Sequence, residues 1–171
     1  MVHHLTVVQA SNVVSMIFFG SMIGSPLAGW LSDRLQRRKR MMWIGGILAL
    51  LLCYPLCGLH QSLSVVQLML IFFSMGCVTS TQVVSYPLIA ESNSAVYAGR
   101  ACSLASMIIM GGGMCAQILF GWLLTRHQEF NSIPTDEAFR GAMLMFPVSI
   151  LLALLMLVFM KETYCKHHLE Q

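Results

Sequence analysis

Residues 141–160 read GAMLMFPVSILLALLMLVFM, an unbroken stretch without Asp, Glu, Lys, Arg or His. A helix crosses about 30 Å of hydrocarbon in roughly 20 residues, and this stretch has that length. Working outward, four more stretches are equally free of charge: residues 7–30, 41–59, 65–90 and 101–124. Only 10% of the 171 residues are charged, and mean hydropathy is +0.73. A soluble domain carries charge on roughly a quarter of its residues. A water-soluble globule is therefore excluded. In hydrocarbon each backbone N–H and C=O must be satisfied within its own segment, so the sequence predicts an all-α integral membrane protein with five transmembrane helices.

The connectors, residues 31–40, 60–64, 91–100 and 125–140, are short enough to make successive helices antiparallel neighbours. Lysine and arginine orient them. One set of helix ends carries Arg34, Arg37, Arg38, Lys39, Arg40, Arg100, Lys161 and Lys166, and the other only Arg126 and Arg140. By the positive-inside rule the rich side is cytoplasmic, with the amino terminus outside and the carboxyl terminus inside. Basic residues crowd one connector rather than a folded face, which excludes a nucleic-acid partner. Five of the six cysteines lie within apolar stretches, as small packing residues do, and no zinc-type Cys/His spacing occurs. No metal or cofactor is expected.

Polarity is unequal among the helices. The second and fifth stretches are bland and are expected to face lipid. The first carries Gln9, Ser11, Asn12 and Ser15, the third Gln67, Thr79, Ser80, Thr81, Gln82, Ser85 and Tyr86, and the fourth Ser103, Ser106 and Gln117. Uncharged polar groups at membrane depth face protein or water. Thr79, Gln82 and Tyr86, at i, i+3 and i+7, are expected along one helical face. They are candidates to line a solute cavity, with Asn12 and Gln117, or else to bond between helices. Gly20 and Gly24 form a G-x-x-x-G step, and Gly111 to Gly113 sit mid-stretch in the fourth helix, where close helix packing is the better reading than a backbone ligand site.

The connector Gly29-Trp30-Leu31-Ser32-Asp33-Arg34-Leu35-Gln36-Arg37-Arg38-Lys39-Arg40 is the most specific signal. Anionic head groups would account for its cations, but not for Asp33 or Gly29. The string resembles the signature loop of the major facilitator superfamily, G-x-L-A-D-R-x-G-R-R/K. Gly29, Leu31, Asp33, Arg34, Arg37 and Arg38 match it, while Gln36 stands where glycine eases a tight turn. Tyr86-Pro87-Leu88-Ile89-Ala90-Glu91, followed by Gly99-Arg100, resembles the acidic-then-basic connector after the family's tenth helix. Lys161-Glu162-Thr163 resembles the Glu-Thr ending of a six-helix half.

The resemblance implies helices eight to twelve of a twelve-helix fold, a single truncated carboxyl-terminal domain over 1–171. It implies solute transport by alternating access between two halves. Gly29, Asp33, Arg34, Arg37 and Arg38 then belong to a cytoplasmic gate motif, whereas Lys39 and Arg40 are expected mainly to aid insertion. Glu91 is the one carboxylate at a helix end that a proton link could use, with a plain loop charge as its alternative. The implied partners are membrane lipid, a small-molecule solute, and the missing amino-terminal half or a second copy, in a bacterial inner membrane. The other readings are a helical membrane interaction subunit and the remnant of a truncated gene. An intramembrane enzyme is not expected, because no apolar stretch contains a carboxylate, histidine or cation.

Overall fold

The computed structural model describes residues 6–58, 63–131, 139, 141–160 and 162–163. In chain order it forms α1 (Val7–Leu35), α2 (Arg38–Gly58), α3 (Val65–Thr79), a 3-10 helix (Ser80–Val84), α4 (Ser85–Glu91), α5 (Ala95–Asn131) and α6 (Met145–Phe159). Four segments among the described residues are long and apolar enough to cross a membrane: Val7–Leu35, Val65–Glu91, Ala95–Arg126 and Gly141–Phe159. Beside them, α2 opens with Arg38, Lys39 and Arg40 and continues uncharged to Gly58. The all-α membrane architecture is as the apolar stretches require.

Two helices begin with a capping box. Thr6 accepts from the Gln9 N–H while its own N–H donates to Gln9 Oε1, and Ser64 does the same with Gln67. Each such cap contributes about 1 kcal/mol by satisfying otherwise unpaired N–H groups. Gln9 and Gln67 are therefore helix-start residues rather than polar groups within a span.

Glycine sets the tightest packing. A Cβ on Gly20 would strike the Phe73 carbonyl, one on Gly76 would strike that of Ile17, and one on Gly24 would stand 2.5 Å from Ser80 Oγ. The α1–α3 crossing is thus a backbone-to-backbone contact, as the G-x-x-x-G step predicts. Gly45 of α2 faces Thr81, and Gly46 faces Leu154 of α6. The second and fifth helices, expected to face lipid, also pack on one another, with Ala49, Cys53, Leu154 and Leu157 buried. Only their outer sides, with Ile47, Leu51, Leu152 and Met156, remain exposed.

By contrast, α5 leans on α4 and touches the chain near α6 through Phe120, whose ring lies 6.0 Å from Phe139 and 5.9 Å from Phe146. No described neighbour comes within 4 Å of a Cβ built on Gly111, Gly112 or Gly113. The close packing expected at these glycines is not made within the described residues.

Two connectors are shorter than the charge pattern predicts. Helix α1 runs through Asp33 and Arg34, leaving Gln36 and Arg37 as the link to α2, and residues 92–94 alone separate α4 from α5. The third apolar stretch is not one helix. Proline cannot donate to the carbonyl four residues back, but it fits in a helix's first turn, where no such bond is needed. Restarting the α-helix at Ser85 places Pro87 in that first turn, and the 3-10 helix Ser80–Val84 absorbs the change of register.

Candidate functional site

Gln36 is where the chain turns. It adopts φ 50°, the left-handed conformation, and its N–H donates to Asp33 O at 3.3 Å, closing α1. Glycine takes this conformation freely, and another residue costs about 1 kcal/mol. The glutamine nevertheless makes the turn that the signature assigns to glycine.

That turn delivers Arg38 into the interior, where it is 6% exposed. Its Nε donates to Glu91 Oε1 at 2.9 Å and Oε2 at 3.0 Å, and its Nη2 donates to Glu91 Oε1 at 2.6 Å. Nη1 donates to Asp33 Oδ1 at 2.9 Å and reaches the fully buried Ser32 Oγ at 3.4 Å. Thr163 Oγ1 completes the arrangement by donating to Glu91 Oε2 at 2.6 Å. One guanidinium thus joins the α1–α2 turn to the end of α4, and Glu91 extends the link to the segment after α6. A planar guanidinium suits this role because its donors diverge in fixed directions. Glu91 is a buried helix-end residue, which overturns the loop-charge alternative.

A second link runs alongside. Glu162 accepts from the Lys39 N–H through Oε1 at 3.2 Å and Oε2 at 3.1 Å, and Lys39 Nζ donates to Val158 O at 2.9 Å and Met160 O at 2.6 Å. A carboxylate therefore sits on the positive start of α2, and an ammonium on the negative end of α6. Lys39 closes two helices against each other, a role that the insertion reading of this cation does not include.

The other motif residues separate from this cluster. Gly29 has open space around it, Arg34 is exposed with its guanidinium 5.2 Å from the Trp30 ring, and Arg37 is half-buried in the turn. The candidate cavity residues are spread over five elements in three spans. Asn12 on α1, Thr79 and Gln82 on the third span and Gln117 on α5 are all exposed. Tyr86 is half-buried, and its hydroxyl accepts from Ser106 Oγ of α5 at 3.3 Å. The one-face spacing assumed a continuous α-helix. Because the 3-10 helix advances about 120° per residue, Tyr86 is turned roughly 80° from the Thr79–Gln82 line.

The Glu162-Thr163 ending was legible as a motif, but its role as a partner was not. Ser32 and Lys39 carried no signal beyond their place in the signature string.

A turn at Gln36, an arginine just beyond it and an aspartate just before it form the folded counterpart of the signature loop. The family model for the Major Facilitator Superfamily matches residues 2–169. The chain belongs to the major facilitator superfamily. No curated relative and no solved structure matched. Major facilitator proteins are multi-pass membrane transporters, so the medium of this chain is lipid and its cargo class is small solutes; they are generally not enzymes.

Proposed function

We propose that this chain supplies helices eight to twelve of a secondary transporter that moves a small solute by alternating access. Its spans are approximately 7–30, 41–59, 65–90, 101–124 and 141–160, and the cluster around Arg38 lies on the cytoplasmic side of a bacterial inner membrane. The observation that carries this reading is the buried Arg38–Glu91 pair, which gathers α1, α2, α4 and the segment after α6 at one end of the bundle. Such a pair is favourable only while both partners are present and fully hydrogen-bonded, so it acts as a latch rather than as general adhesive. Asp33 is the exposed member, its side chain 66% accessible, and it is available to a helix start on an opposing half.

Solute contacts fall to Asn12, Thr79, Gln82, Tyr86 and Gln117. The exposed face of α5 and the polar side of α1 are what an amino-terminal half would cover, and a second copy is the alternative occupant. Alternating access needs two repeats, so the 171-residue chain alone is not competent.

Uptake by proteoliposomes tests the proposal, with panels of amino acids, sugars, organic acids and drugs presented to the chain alone and to the chain co-reconstituted with a transporter amino-terminal half lacking its own carboxyl-terminal partner. Saturable uptake only in the paired sample is expected. Saturable uptake by the chain alone overturns the need for a partner, and a stable paired complex that moves no solute favours an interaction subunit.

A further inference from the structure

The hydroxyls of this chain record the helical register around them. Ser15, Ser25, Ser103 and Ser149 each donate to the carbonyl four residues back, as α-helical serines do. At the break in the third span the pattern shifts: Ser80 donates to Cys77 O at 2.6 Å and Thr81 to Val78 O at 2.8 Å, each three residues back. Ser85, the first residue beyond the 3-10 helix, has a buried Oγ with no partner among the described residues. Its backbone N–H already donates to Gln82 O, and its α-register acceptor would be Thr81 O.

The two sides of the break are anchored differently. Upstream, α3 is locked to α1 through Gly20, Gly24 and Gly76. Downstream, α4 ends in Glu91, which Arg38 and Thr163 hold. Between them, Gly24 and Gly45 bring bare backbone up to the Ser80 and Thr81 hydroxyls, the two groups that would have to change acceptors.

We infer that Ser80–Val84 is a two-state hinge, alternating between the 3-10 helix and a continuous α-helix, and that it couples the polar face at Gln82 to the Arg38–Glu91 latch. In the α state Ser85 Oγ gains Thr81 O, Ser80 and Thr81 move their hydroxyls to Gly76 O and Cys77 O, and Pro87 lies within the helix without a bond to Val83 O, as Pro26 and Pro55 lie within α1 and α2. Converting five residues shortens the segment by about 2.5 Å and rotates α4 by about 100° relative to α3. Glu91 cannot keep contacts of 2.6–3.0 Å through that motion. The latch therefore closes on the 3-10 state and opens on the α state, and Gln82, inside the hinge, turns with it. A solute held at Gln82 in one register would bias the latch, a consequence that rests on the transport reading. The hinge itself does not.

Magic-angle-spinning NMR of the full chain in lipid bilayers tests it, with carbon-13 valine and glutamate and nitrogen-15 arginine. The Val83 and Val84 carbonyl shifts report the register, and the dipolar coupling between Glu91 Cδ and Arg38 Nε reports the latch. The unmodified chain should give 3-10 shifts with strong coupling. Pro87→Ala removes the reason for restarting the helix, and should move both valines to α-helical shifts and at least halve the coupling. Glu91→Gln, which weakens the latch and leaves the break untouched, should move the valines the same way. Ser85→Ala removes the orphaned hydroxyl and should retain the 3-10 shifts and the coupling. Valine shifts that stay 3-10 in both Pro87→Ala and Glu91→Gln overturn the hinge, as do α-helical shifts in Pro87→Ala with the coupling intact. If Pro87→Ala does not fold, Glu91→Gln decides alone. No solute or partner enters these measurements, so their failure is separate from any failure of uptake.

Discussion

Arg38 and Glu91 lie 53 residues apart in sequence and form one buried unit in the fold. Removing one member leaves the other charge without compensation, which costs about 3–5 kcal/mol, whereas replacing both with apolar side chains of similar volume is often close to neutral. Arg38→Met should therefore lower unfolding stability in detergent by that amount, and the Arg38→Met/Glu91→Leu double variant should recover most of it. Equal losses in the single and double variants would show that the pair is not the unit. Lys39→Met should lower unfolding stability by about 1 kcal/mol through the lost cap on α6, beyond any effect on insertion. Asp33 is exposed, so Asp33→Asn in the assembled transporter should lower turnover more than solute affinity. Weaker binding at unchanged turnover would assign it to the solute site. The sequence made Asp33, Arg38 and Glu91 visible as motif members, but the Thr163 hydroxyl meets Glu91 across 72 residues, and no local pattern announces a contact of that separation.

Helix contacts were legible where backbone must meet backbone and illegible where a register changes. The Gly20–Gly24 step identified a crossing because any Cβ there collides with α3. The same logic applied to Gly111 to Gly113 led to an expected contact that α5 does not make among the described residues, because a glycine permits close approach without requiring it. Gly20→Ala should therefore destabilise the chain by about 1–3 kcal/mol. Gly112→Ala should be neutral or stabilising by up to about 1 kcal/mol, through helix propensity alone. Denaturant titration of the two variants in monodisperse detergent separates them, and a Gly112→Ala loss as large as that of Gly20→Ala would mean that α5 is packed after all. The all-α membrane class was legible because charge exclusion is a property of length and composition. The break at Ser80 is not legible from Pro87, since proline alone does not say whether a helix kinks, restarts or simply continues.

At the scale of the molecule, α5 carries an arginine–aromatic pair towards each end. Arg100 lies 5.9 Å from the Tyr97 ring near its start and Arg126 4.9 Å from the Trp122 ring towards its end. Tyr97 and Trp122 are roughly 38 Å apart along a straight helix, somewhat more than the hydrocarbon core, which suits a tilted span with aromatic side chains at each interface. The side of the membrane that the Arg38 latch faces decides its role, because a gate motif on the other side would not be this gate. Single cysteines at Gln36, in the α1–α2 turn, and at Ser62, in the following connector, placed in a background free of other cysteines, measure this directly. A membrane-impermeant maleimide should label Gln36→Cys only in inside-out vesicles and Ser62→Cys only in right-side-out vesicles. Labelling of Ser62→Cys from the cytoplasmic side alone would contradict the orientation, and with it the assignment of the latch to the cytoplasmic gate.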